Sequence, residues 1–280
     1  MTDPQSFIGR SEVQKDRAES DRFARLAATL DHVSPPWRPG VMPPLGHWLC
    51  FLPDALQSAI GEDGHPVRTG TGLLPNVDLP RRMWAGSRVR FLADVPLDSD
   101  IVRTSTVTAA TPKEGRSGKM LFVTVRHEIA VAGGDTAIIE DQDIVYREAQ
   151  PAGIVVERRA ADPGQDDPCI RTIMPDPVLL FRYSALTFNG HRIHYDREYA
   201  RMQEGYPGLV VHGPLLATLM LDHLLRELGG SVRSFDYRAS APTFDGEEVR
   251  LGFRRDGERA ELRVLNPAGV AMTGTAELAS

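Results

Sequence analysis

Cysteine is almost missing from this chain: Cys50 and Cys169 stand alone among 280 residues, far apart and without metal-ligand spacing. Neither a disulfide framework nor a zinc knuckle organises the fold. Basic excess is missing too. The chain has 32 Lys and Arg against 38 Asp and Glu, a formal net charge of -6, whereas a nucleic-acid partner selects for a basic face. No apolar run reaches bilayer-spanning length. The first residues, MTDPQSFIGRSEVQKDRAE, mix acids and a proline where a signal peptide needs a basic start and a greasy core. The expectation is a cytoplasmic protein with neither nucleic acid nor membrane as a partner.

What the chain does have is punctuation and period. Its length suffices for one large or two modest domains, each with a core. Residues 9–32 read as a charged lead-in helix, with Phe23, Leu26, Ala27 and Leu30 at helical spacing. Prolines between Ser34 and Pro44 predict an extended crossing, and residues 47–60 a helix that Pro53 kinks or ends. Four segments then alternate at period two: Ser87–Val95, Ile101–Ala110, Lys119–Ala130 and Thr136–Tyr146. In the third, Leu121, Val123, Val125 and Ile129 share one face. Glycines in PKEGRSG and AGGD mark hairpins, so a four-stranded antiparallel meander is expected.

A Pro- and Gly-bearing passage from Glu148 to Pro168 lacks a period and reads as a crossover. Beyond it, Pro214 to Leu228 forms an almost wholly apolar helix, opened by Pro214 and closed by Gly229 and Gly230. Its polar stripe is narrow, Thr218, Asp222 and Arg226, so neighbours must wrap most of its sides. Four more alternating segments supply them: Val232–Ala241, Glu248–Arg254, Arg259–Leu265 and Val270–Leu278, with TFDGE, RDGE and NPAG as turns. A buried helix with an antiparallel meander curled around it is the hotdog architecture. The first half repeats the element order with a poorer helix. The expected fold is therefore α+β, a double hotdog: residues 1–150 an N-terminal hotdog shaping the acyl and CoA pocket, 151–170 a linker, and 171–280 a C-terminal hotdog carrying the chemistry.

Chemistry concentrates between Phe181 and Gly213, where an amide, three imidazoles and a helix start fall close together. Hydrating a 2-enoyl thioester needs a water held over the β-carbon, a group to take its proton, and a donor for the carbonyl as enolate charge develops. Asn189 and His194 flank the bend NGHRIH and can aim at one water, with the imidazole as base or acid. The N–H of Gly213 opens the apolar helix and offers an oxyanion site, where a missing side chain permits close approach.

At these residues the sequence resembles the (R)-specific enoyl-CoA hydratase superfamily (hydratase 2, MaoC-like). That family's pattern, Ser-Gly-Asp-x-Asn-Pro-(aliphatic)-His-x-Asp and then aliphatic-His-Gly, stands here as Thr187-Phe188-Asn189-Gly190-His191-Arg192-Ile193-His194-Tyr195-Asp196 and Val211-His212-Gly213. The family's catalytic Asp is Asn189 here, and its Asn-Pro is His191-Arg192. This form resembles the branch containing mitochondrial-type 3-hydroxyacyl-thioester dehydratase and mesaconyl-C4-CoA hydratase. Likeness to the latter extends through PPLGHWLCFLP, LPRRMWAGSRVRF, GRSGKMLFVTVRHEI and DIVYRE. The resemblance implies a hydro-lyase converting mesaconyl-C4-CoA or itaconyl-CoA to citramalyl-CoA, with Asn189, His194 and Gly213 as catalytic residues. It implies no metal or redox cofactor, coenzyme A being part of the substrate. Asparagine cannot accept a proton, so His194 carries the acid–base work and Asn189 orients the water.

For substrate binding, Arg81 and Arg82 beside Trp84 offer a bidentate partner for a free carboxylate, and His191 and His212 flank the chemistry. Lys113, Arg116 and Lys119 read as solvated surface before phosphate contacts. The competing readings stay open. Asn189 and His194 can cap a turn and fill a polar corner; His191, His194 and His212 can hold zinc, although no carboxylate or cysteine completes that set. A fatty-acid type 3-hydroxyacyl-thioester dehydratase, a thioesterase and a non-catalytic acyl-thioester binder are the functional alternatives. A homodimer is compatible with the chain, although two hotdogs already supply the sheet pairing that single-domain relatives obtain by dimerising.

Overall fold

The computed structural model describes residues 3–115, 118–148 and 167–279. Within them ten strands form one antiparallel sheet: β1 (Ser11–Arg17), β2 (Arg81–Phe91), β3 (Asp100–Gly115), β4 (Gly118–Val131), β5 (Thr136–Arg147), β6 (Cys169–Ile173), β7 (Val232–Ala239), β8 (Val249–Asp256), β9 (Arg259–Asn266) and β10 (Gly269–Leu278). Their order across the sheet is β1-β3-β4-β5-β2-β7-β10-β9-β8-β6. Strands of the first half therefore fill one end, strands of the second half fill the other, and β2 and β7 join them. Helices are few: α1 (Ser20–Thr29), α2 (Pro177–Leu186), α3 (Arg197–Met202) and α4 (Gly213–Leu228).

The alternating segments fold as their period dictates. On β4, Leu121, Val123, Val125 and Ile129 are all buried, and the first three pack with Val107 and Tyr146 on one face of the first half. Helix α4 lies in the concave side of the second half, with Leu215, Leu216, Leu219, Met220, Leu221, Leu224 and Leu225 in the main core. Burying each such leucine stabilises the fold by roughly 2 kcal/mol. Its polar stripe is not left to water. Thr218 donates its hydroxyl to the Pro214 carbonyl at 2.8 Å, and the buried Asp222 accepts from Arg171 and Arg226 of the second half and meets His32 of the first at 2.5 Å.

At the central seam, β2 pairs with β7 from Gly86↔Arg238 to Arg90↔Ser234. Gly86 is required there: a Cβ on it would stand 2.3 Å from the Tyr237 carbonyl oxygen, so the two half-sheets could not close to ladder distance.

Several expectations need correction. The lead-in does not form one helix over residues 9–32; Ser11–Arg17 is an edge strand paired with β3, and only Ser20–Thr29 is helical. A strand of charged residues with open sides has no apolar alternation to betray it, and what holds it is the free edge of β3. Residues 47–60 form two short 3-10 turns, Gly46–Leu49 and Gln57–Ala59, instead of a helix. The strand expected at Ser87–Val95 runs from Arg81 to Phe91, which matters for the arginines below. The linker expected at 151–170 and Arg116 lie mostly or wholly outside the described residues. Among the described residues no helix is long and apolar enough to cross a membrane.

Candidate active site

Helix α2, capped by Asp176 and opened by Pro177, ends at Leu186 and delivers the chain into a bend through Phe188, whose φ of 47° is left-handed. The bend continues through a short 3-10 turn, Arg192–His194, and into α3. Asn189 is half-buried on this bend. Its Oδ1 accepts the His191 N–H at 3.0 Å, and because a backbone N–H only donates, the oxygen end of the amide is identified and its NH2 is left as a donor.

His194 is oriented by the same logic. Its Nδ1 lies 2.7 Å from the Val210 carbonyl oxygen; a carbonyl only accepts, so Nδ1 carries the hydrogen and Nε2 carries the lone pair. The ring stacks on His212 with centroids 3.6 Å apart. His212 is itself buried, its Nε2 2.9 Å from the Ser184 hydroxyl. His212 thus backs His194 from inside the protein, and Ser184 on α2 fixes it. The next residue, Gly213, is the first of α4, and the first helical bond runs from Leu216 N–H to the His212 carbonyl. The N–H groups of Gly213 and Leu215 therefore stay available, with Pro214 contributing none. A Cβ at Gly213 would meet the Trp84 carbonyl oxygen at 3.9 Å, ordinary contact, so the protein alone does not demand glycine there.

The first half contributes a wall through a loop that sequence reading did not single out. The loop at residues 61–66 docks on the bend: Asp63 and Glu62 carbonyls accept from Arg192 N–H and Nη1 at 2.9 and 3.1 Å. Gly64, at φ +89°, lies so close to Gly190 that a Cβ would come within 1.8 Å of its carbonyl oxygen. This contact puts the His65 ring 4.1 Å from His191, which is 5.4 Å from His194. Four imidazoles, His65, His191, His194 and His212, form a row. The string GEDGHP carries no period and no motif spacing, so nothing in it announced Asp63 or His65.

Electrostatics follows from this row. Burial first, then the charge of His191, lowers His194 to about 3; burial, then His65, lowers His191 to about 3; burial and His194 hold His212 well below the ordinary imidazole value of 6.5. Folded, these rings are neutral; unfolded, they protonate as pH drops through about 6.5. Unfolding free energy should therefore fall on acidification below that value, by about 1.4 kcal/mol per pH unit for each ring. Chemical denaturation at about pH 7.5 and about pH 5.5 measures it, and equal stability at both would contradict a neutral buried row.

The two adjacent arginines separate because successive side chains on a strand point to opposite faces. Arg81 is held by Glu204, with Nε 3.1 Å from its carboxylate and Nη2 2.9 Å from its carbonyl. Arg82 instead lines a pocket with Asp63, His65 and Arg68. Trp84 donates its indole N–H to the Ser87 hydroxyl at 2.9 Å and meets Trp48 edge-on at 5.0 Å, forming an aromatic wall beside the α4 start. Lys113 lies over the Phe122 ring. Asp63, His65 and His191 bring three potential metal-ligand atoms within 4.8 Å of one another. Burial is the main cause that lowers the proton affinity of His65 and His191; Arg82 lowers both further, while Asp63 opposes it.

Residues 45–245 match the family described as Hydroxyacyl-thioester dehydratase type 2. The chain is also 44% identical over 278 residues, 98% of its length and 97% of the relative's, to mesaconyl-C(4)-CoA hydratase of Chloroflexus aurantiacus. The chain belongs to the hydroxyacyl-thioester dehydratase type 2 family. Its fold recurs in HtdX of Mycobacterium tuberculosis, with a TM-score of 0.67 at 17% identity over 96% of this chain and 100% of that one. A second protein of that organism, described as having a double hotdog fold, superposes with a TM-score of 0.56 at 11% identity over 96% of each chain. The α+β double hotdog expected from element order is thus the architecture of this dehydratase-type chain, and both halves of the family match contribute to the bend, the wall and the helix start.

Proposed function

We propose that this protein is a hydro-lyase that adds water to a 2-enoyl-CoA thioester, with mesaconyl-C4-CoA as substrate and citramalyl-CoA as product. The observation that carries the reading is the fixed tautomer of His194: Nδ1–H is tied to the Val210 carbonyl, so Nε2 is left as an acceptor, while Asn189, whose Oδ1 accepts the His191 N–H, has its NH2 left as a donor. In this reading one water is held between the two groups, giving a proton to Nε2 while its oxygen accepts from the Asn189 amide. The oxygen attacks the β-carbon, the double-bond electrons move onto the thioester oxygen, and the N–H groups at the α4 start stabilise that charge. Collapse of the enolate returns a proton from His194 to the α-carbon, so atoms and charge balance with a single base. No oxidation state changes in the overall addition, and the reading includes neither a metal nor a redox cofactor.

The substrate is taken from the relative's name and from the pocket beside Arg82. Incubating the protein with mesaconyl-C4-CoA, itaconyl-CoA and crotonyl-CoA, and following the enoyl-thioester absorbance with chromatography of the products, tests it. Hydration without thiol release supports the reading. Free coenzyme A released instead would make the protein a thioesterase, and binding without turnover would make it a carrier module. The proposed compartment is the cytoplasm, and assembly beyond one chain is compatible with the reading.

A further inference from the structure

Arg82 and the loop before β2 form a charged pocket that water addition itself does not use. The walls are Asp63, His65, Arg68 and Arg82. Arg68 is already engaged, its guanidinium donating to the Val77 and Leu79 carbonyls at 3.4 and 3.2 Å. Arg82 is different. Among the described residues no carboxylate stands within ion-pair distance of it, while its neighbour Arg81 has Glu204. Asp63 is the carboxylate that would repel an incoming anion, and both of its oxygens are turned to His65: Oδ1 accepts the His65 N–H at 3.0 Å, and Oδ2 lies 2.9 Å from His65 Nδ1. The pocket therefore presents a guanidinium that reaches the Tyr146 hydroxyl but has no carboxylate partner among the described residues, beside a carboxylate whose oxygens both face His65.

Resting on the hydratase reading above, we propose that this pocket seats the free carboxylate of a dicarboxylyl thioester, with Arg82 as its ion partner and the Asp63–His65 pair as positioning residues. The chemistry of the substrate sets where such a seat must be. In a C4 thioester of mesaconate, the free carboxylate is bonded to the same carbon that receives the hydroxyl. Its anchor must then lie within a few bond lengths of the water, not at the end of a long tunnel. The ring succession His65, His191, His194, at 4.1 and 5.4 Å, puts the Arg82 pocket, of which His65 is a wall, one ring from His191 and two from His194. A planar guanidinium also suits a planar carboxylate through two parallel hydrogen bonds, which an ammonium cannot reproduce. Arg82 thereby selects the acyl group and fixes which face of the double bond meets His194.

The test compares mesaconyl-C4-CoA with 3-methylcrotonyl-CoA, in which a methyl group replaces the carboxylate, in wild type, Arg82→Gln, Arg82→Lys and His65→Ala. For Arg82→Gln the kcat/KM ratio of the two substrates should fall by about 100-fold, the scale of a lost bidentate ion pair, with Arg82→Lys recovering part of it. His65→Ala should lower the same ratio by about 10-fold, since it frees the Asp63 charge. Equal losses on both substrates, or a wild type that shows no preference between them, would overturn the proposal. Equilibrium binding of the two thioesters gives a second readout: if the wild type hydrates neither, the hydratase reading falls, while loss of dicarboxylyl preference in Arg82→Gln binding still supports the pocket. Elemental analysis decides against it in the remaining way, because a stoichiometric divalent ion that disappears in His65→Ala would make Asp63, His65 and His191 a cation site.

Discussion

His194→Ala should lower the turnover of enoyl-thioester hydration by about 100-fold or more, the scale of a positioned acid–base group. The reason is specific to this chain. The amide at 189 cannot accept a proton, and its Oδ1 is already used by the His191 N–H. His191 has the same depressed basicity, to about 3, but no carbonyl fixes its tautomer as Val210 fixes that of His194. With one base, the loss has no internal substitute. Asn189→Ala should cost a comparable factor through the water, and the two losses should be far from additive because both act on the same molecule. Initial rates from enoyl absorbance, with circular dichroism to check folding, settle the matter. A folded His194→Ala protein with near-normal turnover would remove the imidazole from the chemistry.

Asp222→Ala should lower unfolding free energy by roughly 3 kcal/mol, the low end of what breaking a buried ion pair costs. Its carboxylate is buried on α4 and accepts from Arg171 at 3.0 Å, from Arg226 at 2.8 Å, and meets His32 Nε2 at 2.5 Å. Arg226 also donates to the Leu30 carbonyl. These bonds tie the α4 helix of the second half to the end of α1 in the first. The arginines are partly exposed and can turn to water when the carboxylate is removed, which keeps the cost at the lower end; His32 cannot. Denaturant titration measures the change. A variant within about 0.5 kcal/mol of wild type would show that the cluster contributes specificity and not stability.

Much of the fold was legible because burial imposes a period. Along β4 and β7 one face is buried, and the alternation of Leu121, Val123 and Val125, or of Phe235 and Tyr237, records it. Helix α4 was legible for the opposite reason: residues Leu215–Leu225 are all buried, and a helix so apolar is stable only where neighbours cover most of its sides. The candidate site was legible through residue type and spacing, Asn189, His194 and Gly213 lying on one short segment.

Three features were not legible, each for a physical reason. Strand β1 is held by backbone bonds to the free edge of β3, and backbone bonds leave no mark on side-chain order. The split of Arg81 from Arg82 depended on the strand starting at Arg81, six residues of which show mixed burial and no clean alternation. The loop carrying Asp63 and His65 reaches the bend at Asn189 through the Gly64 to Gly190 contact, a meeting of segments far apart in the chain. Residue order by itself determined the alternating strands, the buried helix and the local segment proposed to hold a water and a carbonyl, because those properties follow from neighbours a few positions away. Tertiary structure alone decided which arginine lacks a carboxylate partner, which imidazoles share a row, and which loop of the first half meets the bend of the second, because charge pairing and burial depend on distance in space.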